Sequence, residues 1–337
     1  MSTRHPNGFA LPSIVITYRF GQADLLRIRF AVSPVLELVG AHYAVRRPDR
    51  RHLHRWWAVR VADDVARLDL RLLDVATPIG GDRWPAFLGP PPVRPDADID
   101  DDLRRVAATP PEQVVFEITQ AYRGAVPPAG QPFLDDPAAA LAELVEQMRT
   151  FWEVAVAPWW TTITALLEAE IAARARRLVS GGLTAVLGDL HPTVSWDGRD
   201  VLTVRPTSKA PAYVDLAGRG LLLVPAAFVW PMVWPRTDPP WDPALVFPPA
   251  GVGTLWNADT STADPLAALL GEGRARVLRF LERPASTQEL AGQLGASQGG
   301  ISRHLTVLRE GGLVTSRREG RWVVYSRTTK GDSLCGP

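Results

Sequence analysis

Residues 286–326 carry the pattern that most tightly constrains the fold: two short helices, a tight turn between them and a β-hairpin after them. Ser286 and Glu289 have the spacing of a capping box, in which each residue satisfies a free N–H of the other at a helix start. Gly295 is placed to end that helix, and Ser297 is placed to cap the next one. The sequence therefore predicts a helix-turn-helix.

The second helix of this motif has an apolar side and a polar side. Ile301, Leu305 and Leu308 follow one another at i, i+4 and i+7, so they should face the preceding helices. In this geometry the start of the second helix can enter the major groove of DNA, where polar side chains reach base edges and phosphates. The expected DNA contacts on this helix are Ser297, Gln298, Gly299, Ser302, Arg303, His304 and Arg309.

A hairpin follows the second helix. Residues 313–317 and 322–326 are predicted strands, and residues 318–321 are the predicted turn between them. Such a hairpin is a wing, and basic residues at its tip suit phosphates or the minor groove. The expected contacts of the wing are Arg317, Arg318 and Arg321.

The charge distribution agrees with this interpretation. Residues 264–331 carry eleven Lys or Arg and six Asp or Glu, whereas the residues before 264 carry 26 basic and 29 acidic residues. A compact basic unit on a mildly acidic body favours double-stranded DNA as the partner of the C-terminal end.

The C-terminal sequence resembles a known family. SRHLTVLREGGLV followed by RREGRWVVY is similar to the recognition helix and wing of the ArsR/SmtB family, over about Asp264–Thr329. The resemblance implies a homodimeric winged helix-turn-helix regulator, more often a repressor than an activator. A two-fold dimer would recognise a palindromic operator with half-sites about one helical turn apart.

The chain departs from the metal-sensing members of that family. The helix before the recognition helix contains ELAGQL at residues 289–294, where those members carry a cysteine site, and the second metal site of the family is also missing. No metal ion or other cofactor is therefore expected. His304 has no second ligand at i±4, which favours a structural or phosphate-contacting role.

The N-terminal part predicts an α+β domain, mainly helical at first and then with a small antiparallel sheet. Strand patterns occupy residues 13–20, 193–205, 213–216, 220–224 and 245–247, and the other periodic stretches are helical. The predicted helical stretches are residues 22–45, 54–73, those starting at 98 and 136, and the stretch from Pro158 to Gly181-Gly182. We expect a domain over 1–257, a linker over 258–263 and a winged helix-turn-helix over 264–331.

The same part of the chain resembles an uncharacterised domain that precedes such wings in regulators of high-GC Gram-positive bacteria. The similar stretches are FAVSPVLELV, ARRLVSGGL with DLHPTVSWDG, and VDLAGRGLLLVPAAFVWP.

Eleven of the twelve tryptophans lie outside the winged unit. The preferred interpretation of these tryptophans is ordinary core packing, and the alternative is that they line a pocket for a small apolar or aromatic effector. The tryptophans considered for that pocket are Trp56, Trp159, Trp160, Trp230 and Trp234.

Three functions remain for the N-terminal domain: effector sensing, protein interaction or oligomerisation, and enzymatic activity. Asp189, His191, Ser195 and Asp197 offer acid, base and nucleophile types, but their spacing is unlike a known triad. The chain contains no G-x-S-x-G, P-loop or G-x-G-x-x-G motif, so we expect no enzymatic activity.

The cellular location follows from three features. The longest apolar run, residues 220–233, is interrupted by prolines and is shorter than the ~20 residues of a membrane span, and the N-terminus lacks a secretory pattern. Cys335 is the sole cysteine, which excludes a disulfide within one chain. We expect a cytoplasmic protein without membrane contact.

Overall fold

The computed structural model describes residues 15–47, 51–79, 84–95, 98–205, 211–237, 239–256, 265–319 and 322–335. We call residues 15–256 the body and residues 265–335 the winged unit. The helices of the body are α1 (Gln22–Leu25), α2 (Pro34–Arg46), α3 (Arg51–Val65), α4 (Arg71–Ala76), α5 (Ile99–Ala107), α6 (Pro111–Ala121), α7 (Pro132–Asp135), α8 (Pro137–Phe151) and α9 (Trp160–Leu187). Its strands are β1 (Ile16–Arg19), β2 (Arg29–Phe30), β3 (Val194–Trp196), β4 (Val201–Val204), β5 (Ala212–Asp215), β6 (Leu222–Pro225), β7 (Trp234–Arg236) and β8 (Ala244–Phe247).

Side-chain caps explain where several helices of the body begin. Asp98 accepts a hydrogen bond from the backbone N–H of Asp101 at 2.7 Å, and Asp136 accepts one from Ala139 at 3.1 Å. Each bond satisfies an N–H that has no partner inside the helix. The helices predicted to start at residues 98 and 136 are therefore confirmed.

The long helical region after α8 bends where the sequence predicts a break. Residues 152–156 form a π-helical turn and residues 157–159 a 3-10 turn, so α9 begins at Trp160, just after Pro158. Gly182 has a φ of 65°, which interrupts α9 near its end. This left-handed backbone conformation favours glycine, and it confirms the predicted helix end at Gly181-Gly182.

The sheets of the body differ from the single small antiparallel sheet that the sequence predicts. One sheet has the strand order β3-β4-β1-β5 and the other β2-β6-β8-β7, and each combines parallel and antiparallel pairs. The β3–β4 hairpin and strands β5, β6 and β8 are confirmed. Residues 22–45 are not a continuous helical stretch, because β2 interrupts them and pairs with β6. Only pairing with a distant strand identifies so short a strand, and local periodicity cannot show it.

The winged unit contains the predicted helix-turn-helix and hairpin. Its elements are α10 (Pro265–Leu270), α11 (Glu272–Phe280), β9 (Ala285–Ser286), α12 (Thr287–Leu294), α13 (Gln298–Glu310), β10 (Val314–Glu319), β11 (Trp322–Arg327) and α14 (Thr329–Cys335). The sheet order is β10-β11-β9. The α+β class, with a C-terminal winged helix-turn-helix, is therefore confirmed, whereas the predicted linker, residues 258–263, lies outside the described residues.

The body and the winged unit share one continuous hydrophobic cluster. It runs from α2 and α8 through Leu255 and Trp256 to Phe280 and Leu294 of the winged unit. Burial of apolar surface between the two parts favours a fixed arrangement over a free tether. Along the described segments, every helix is too short or too polar to cross a bilayer.

Candidate nucleic-acid interface

Helix α12, the first helix of the helix-turn-helix, is capped as the sequence predicts. The Ser286 Oγ accepts a hydrogen bond from the N–H of Glu289 at 3.3 Å, and the Glu289 carboxylate accepts one from the N–H of Ser286. Gly295 has a φ of 61° and ends the helix in the left-handed region, which favours glycine. These local interactions fix the turn between α12 and α13.

Helix α13 presents a polar face to solvent. The Ser297 Oγ accepts a hydrogen bond from the N–H of Gly300 at 3.1 Å, so this hydroxyl caps the helix. Ile301, Leu305 and Leu308 are buried against α11 and α12. The predicted DNA contacts that lie on the exposed face or at the exposed start of α13 are Ser297, Gln298, Gly299, Ser302, Arg303 and Arg309.

His304 occupies a different position on α13. Its ring is half-buried and lies against α11, where a Cβ atom added to Gly273 would stand 2.6 Å from Nε2. Burial lowers the pKa of His304, and the neighbouring Arg274 and Arg303 lower it further, so the ring is neutral near pH 7. A neutral ring packed between two helices fits the structural role better than a phosphate contact.

The wing extends beside α13. Strands β10 and β11 pair antiparallel from Val314↔Arg327 to Glu319↔Trp322, and β11 also pairs with β9. Arg317 and Arg318 are exposed on β10, whereas Arg321 lies outside the described residues. The outer strand therefore carries two arginines on the hairpin that follows the recognition helix.

Sequence reasoning missed two features of this unit. Residues 329–335 form α14, whose Asp332 pairs with Arg327 of β11 at 2.8 Å. In addition, α12 contacts the body through Gln293, whose Oε1 accepts a hydrogen bond from the Trp230 indole at 3.1 Å. No periodicity signals a contact between residues 63 positions apart.

The tryptophans considered for an effector pocket pack against other rings. The ring centroids of Trp56 and Trp159 lie 5.1 Å apart, and both rings contact Trp256. Elsewhere Trp160 pairs with Trp152, Trp230 with Phe280 and Trp234 with Trp84. The structure thus brings together only Trp56 and Trp159 of the predicted set, and it distributes the others among separate ring contacts.

Two surface cavities of the body have charged linings. One, of about 280 Å³, is lined by Val93, Arg94, Asp101, Asp102, Arg104, Arg105 and Ala108. The other, of about 320 Å³, is lined by His42, Val45, Arg46, Val65, Ala66, Leu68, Asp69, Leu70, Arg71 and Asp74. Neither lining, drawn from the described part of the chain, includes one of the tryptophans.

The acid, base and nucleophile types near residue 190 are engaged in separate interactions. His191 Nδ1 hydrogen-bonds the hydroxyl of Thr193 at 2.8 Å, and burial lowers the pKa of His191 to about 4. Asp189 binds Arg174 and Arg177, while Asp197 accepts hydrogen bonds from three backbone N–H groups of its own turn. No triad geometry joins these described residues. Among the residues with described positions, no three His, Cys, Asp or Glu are grouped to hold a metal ion.

A capped helix-turn-helix with an arginine-bearing hairpin defines the winged helix-turn-helix class. Comparison with known proteins agrees: residues 269–317 match a helix-turn-helix domain family, and residues 123–253 match a family of unknown function. The second match confirms the predicted resemblance of the N-terminal part to an uncharacterised domain.

Curated relatives that are transcriptional regulators match about a fifth of this chain or less, and together with the helix-turn-helix match they confirm the predicted resemblance of the C-terminal part to ArsR-type regulators. A putative arsenical resistance operon repressor ArsR from Halobacterium salinarum is 38% identical over 72 residues, which are 20% of this chain and 56% of the relative. The arsenic resistance transcriptional regulator ArsR1 of Pseudomonas putida is 42% identical, over 17% of this chain and 46% of the relative. The transcriptional activator HlyU of Vibrio cholerae is 39% identical, over 18% and 57%. The chain thus spans about half the length of these relatives, and no solved structure matches it.

Proposed function

We propose that this protein is a DNA-binding transcriptional regulator that acts as a repressor. The observation that carries this proposal is the exposed polar face of α13, with Arg303 at its centre, beside a hairpin that exposes Arg317 and Arg318. A rigid helix with such a face fits the major groove, and arginines on an adjoining hairpin fit the phosphate backbone.

The proposed contacts divide into two kinds. Arg303, Gln298 and Ser302 recognise base edges, because arginine pairs with guanine and short polar side chains donate to and accept from bases. Arg317 and Arg318 bind phosphates and release counterions, which gives affinity without sequence preference. The protein therefore binds any duplex at low ionic strength and discriminates between sequences as salt rises.

We also propose that the protein acts as a homodimer on a palindromic operator. Helices α10 and α14 both pack on α11, and Leu269 of α10 and Leu334 of α14 are 67% and 37% exposed. Exposed leucines on two helices of the same unit suit burial against a second copy. Light scattering on the full chain measures the mass, and Leu269→Arg should shift a dimer toward monomer.

The function is tested by selecting duplexes from a random pool with the full-length protein, followed by anisotropy titrations over a range of salt. We expect an enriched palindromic sequence and an affinity that falls with salt. Arg303→Ala should weaken binding to the selected duplex. The matched control Arg176→Ala removes an exposed arginine from α9 of the body and should leave the affinity unchanged. Failure of the wild-type protein to bind any duplex at low salt would refute the proposal.

For the body, we propose effector sensing, with protein interaction as the alternative. A 250-residue appendage exceeds what dimerisation requires, and its shared core with the winged unit supplies a route for coupling. A metabolite library screened by thermal shift of the full chain separates the two functions. A compound that raises the melting temperature and changes DNA affinity supports sensing, whereas a body that binds another protein and no compound supports interaction.

A further inference from the structure

Two loops of the body contact the helix-turn-helix. The first, residues 226–230, ends in Trp230, which is buried and packs its ring on Phe280 of α11 with the centroids 5.1 Å apart. The Trp230 indole N–H also donates to Oε1 of Gln293 on α12 at 3.1 Å. One side chain of the body therefore contacts two helices of the winged unit.

The second loop, residues 249–254, contacts the same helices through its backbone. The N–H of Gly251 donates to the carbonyl of Gly292 at 3.1 Å. A Cβ atom on Gly253 would overlap the ring of Phe280 and would stand 3.1 Å from Cδ2 of Leu294. The absence of a side chain at residue 253 is thus what allows this close approach.

Buried carboxylates anchor both loops to helices of the body. Glu37 of α2 is fully buried and accepts hydrogen bonds from the N–H groups of Ala227 at 2.6 Å and Phe228 at 3.0 Å. Glu170 of α9 accepts a hydrogen bond from the N–H of Ala250 at 3.0 Å. Backbone hydrogen bonds to buried side-chain carboxyl groups thus hold one loop to α2 and the other to α9.

We propose that these two loops form a clamp through which the body sets the orientation of α12 and, with it, of the recognition helix α13. Helix α12 packs against α13 and also against residues 252–254, so it links the clamp to the DNA-contacting face. Trp230 and Gln293 are positioning residues in this scheme, because they act on DNA binding through the helices they hold. The DNA consequence rests on the proposed function, whereas the clamp itself does not.

Hydrogen exchange on the full-length protein tests the clamp. Trp230→Phe keeps a ring on Phe280 but removes the donor to Gln293, and Gly253→Ala pushes the loop from Phe280 and Leu294. Each variant should accelerate exchange of the α12 amides about fivefold, because each weakens one of the contacts that hold α12 to the body. Amides of α8, measured in the same samples, should keep their wild-type rates and thereby exclude global destabilisation.

The matched control is Trp196→Phe. Trp196 also makes an edge-to-face ring contact, at 5.3 Å to Phe20, but it lies in the β3–β4 sheet. This variant should leave α12 exchange at the wild-type rate. Equal α12 rates in Trp230→Phe, Gly253→Ala and Trp196→Phe would overturn the clamp.

A double variant separates the specific hydrogen bond from general packing. Gln293→Leu leaves the buried Trp230 N–H unpaired, which is costly, whereas Trp230→Phe with Gln293→Leu removes both partners. Exchange in α12 should therefore be slower in the double variant than in Gln293→Leu alone. If the effects of Trp230→Phe and Gln293→Leu on α12 exchange were additive in the double variant, the proposed positioning role of the Trp230–Gln293 hydrogen bond would be refuted.

The orienting role is tested on the duplex that the wild-type protein selects. We expect Trp230→Phe to weaken binding to it about tenfold, since α13 no longer holds one orientation. Faster α12 exchange with unchanged DNA affinity would overturn the orienting role. If the wild-type protein binds no duplex, the proposed function fails, and the exchange rates still decide whether the clamp exists.

Discussion

His304 on α13 lies directly over Gly273 on α11, so that a Cβ atom on Gly273 would come within 2.6 Å of the imidazole Nε2. Glycine leaves room for the imidazole ring in this position, since a Cβ atom on residue 273 would force the ring to shift. The contact assigns His304 to the packing between α11 and α13, while its neighbour Arg303 faces solvent. Adjacent residues of one helix thus have different roles.

The first prediction follows from this division. His304→Ala should lower the free energy of unfolding by about 1–2 kcal/mol, because it empties a half-buried position between two helices. It should weaken DNA binding less than Arg303→Ala, which in turn should change stability by less than about 0.5 kcal/mol. Chemical denaturation and DNA titration of both variants measure the two quantities. If His304→Ala weakened DNA binding more than Arg303→Ala and left stability unchanged, His304 would be a DNA contact.

A second prediction separates base recognition from phosphate binding. Arg303→Ala should cost about 1–3 kcal/mol of binding free energy on the selected duplex and much less on unrelated duplexes. The matched change Arg318→Ala should weaken binding to both duplexes alike and should reduce the salt slope by about one. Titrations of two duplexes over a salt series measure these effects. If the two variants behave alike, the division between α13 and the wing is wrong.

The winged unit could be predicted from the sequence because its determinants are local. The Ser286–Glu289 capping box, the positive-φ position of Gly295 and the Ser297 cap each involve residues within a few positions of one another. The apolar stripe of α13 has a helical period that indicates its buried face. These signals fix both helices and the turn between them.

The body was harder to predict because its determinants are distant in sequence. Strand β1 lies between β4 and β5, about 190 residues later, and the two-residue β2 exists only through its pairing with β6. The position of each tryptophan in the core also depends on residues that are distant in sequence, as in the contact of Trp230 with Gln293. Such contacts leave no periodic signal, so composition alone allowed both a pocket and a core.

A third prediction concerns the cap of α12. Ser286→Ala removes the acceptor of the Glu289 N–H and should lower the free energy of unfolding by about 1 kcal/mol. Ser286→Gly is the milder control, since glycine leaves the helix end open to water and should cost only a few tenths of that amount. Urea denaturation of the three proteins gives the ranking. If Ser286→Ala left the free energy of unfolding unchanged, Glu289 alone would stabilise this helix start.

A fourth prediction concerns the pH dependence of stability. Desolvation raises the pKa of Glu37 from 4.5 to about 7, although the N–H groups of Phe228 and Ala227 oppose the shift. The folded protein therefore keeps a proton that the unfolded chain loses between pH 4.5 and about 7. Because the folded state binds more protons, the Glu37 contribution to the free energy of unfolding falls as pH rises through this window.

Glu37→Gln isolates this contribution, since the amide does not titrate. Asp102, with a pKa raised to about 6 by burial, adds a slope of the same sign, and the lowered pKa values of His54 and His191 add slopes of opposite sign. All three are common to both proteins, so they cancel in the difference. The wild-type advantage over Glu37→Gln should fall by roughly 2–3 kcal/mol as pH rises through the window. If the free energies of unfolding of the wild type and Glu37→Gln changed with pH in parallel, Glu37 would titrate near its ordinary pKa. Water would then reach the carboxylate that anchors the loop of Trp230.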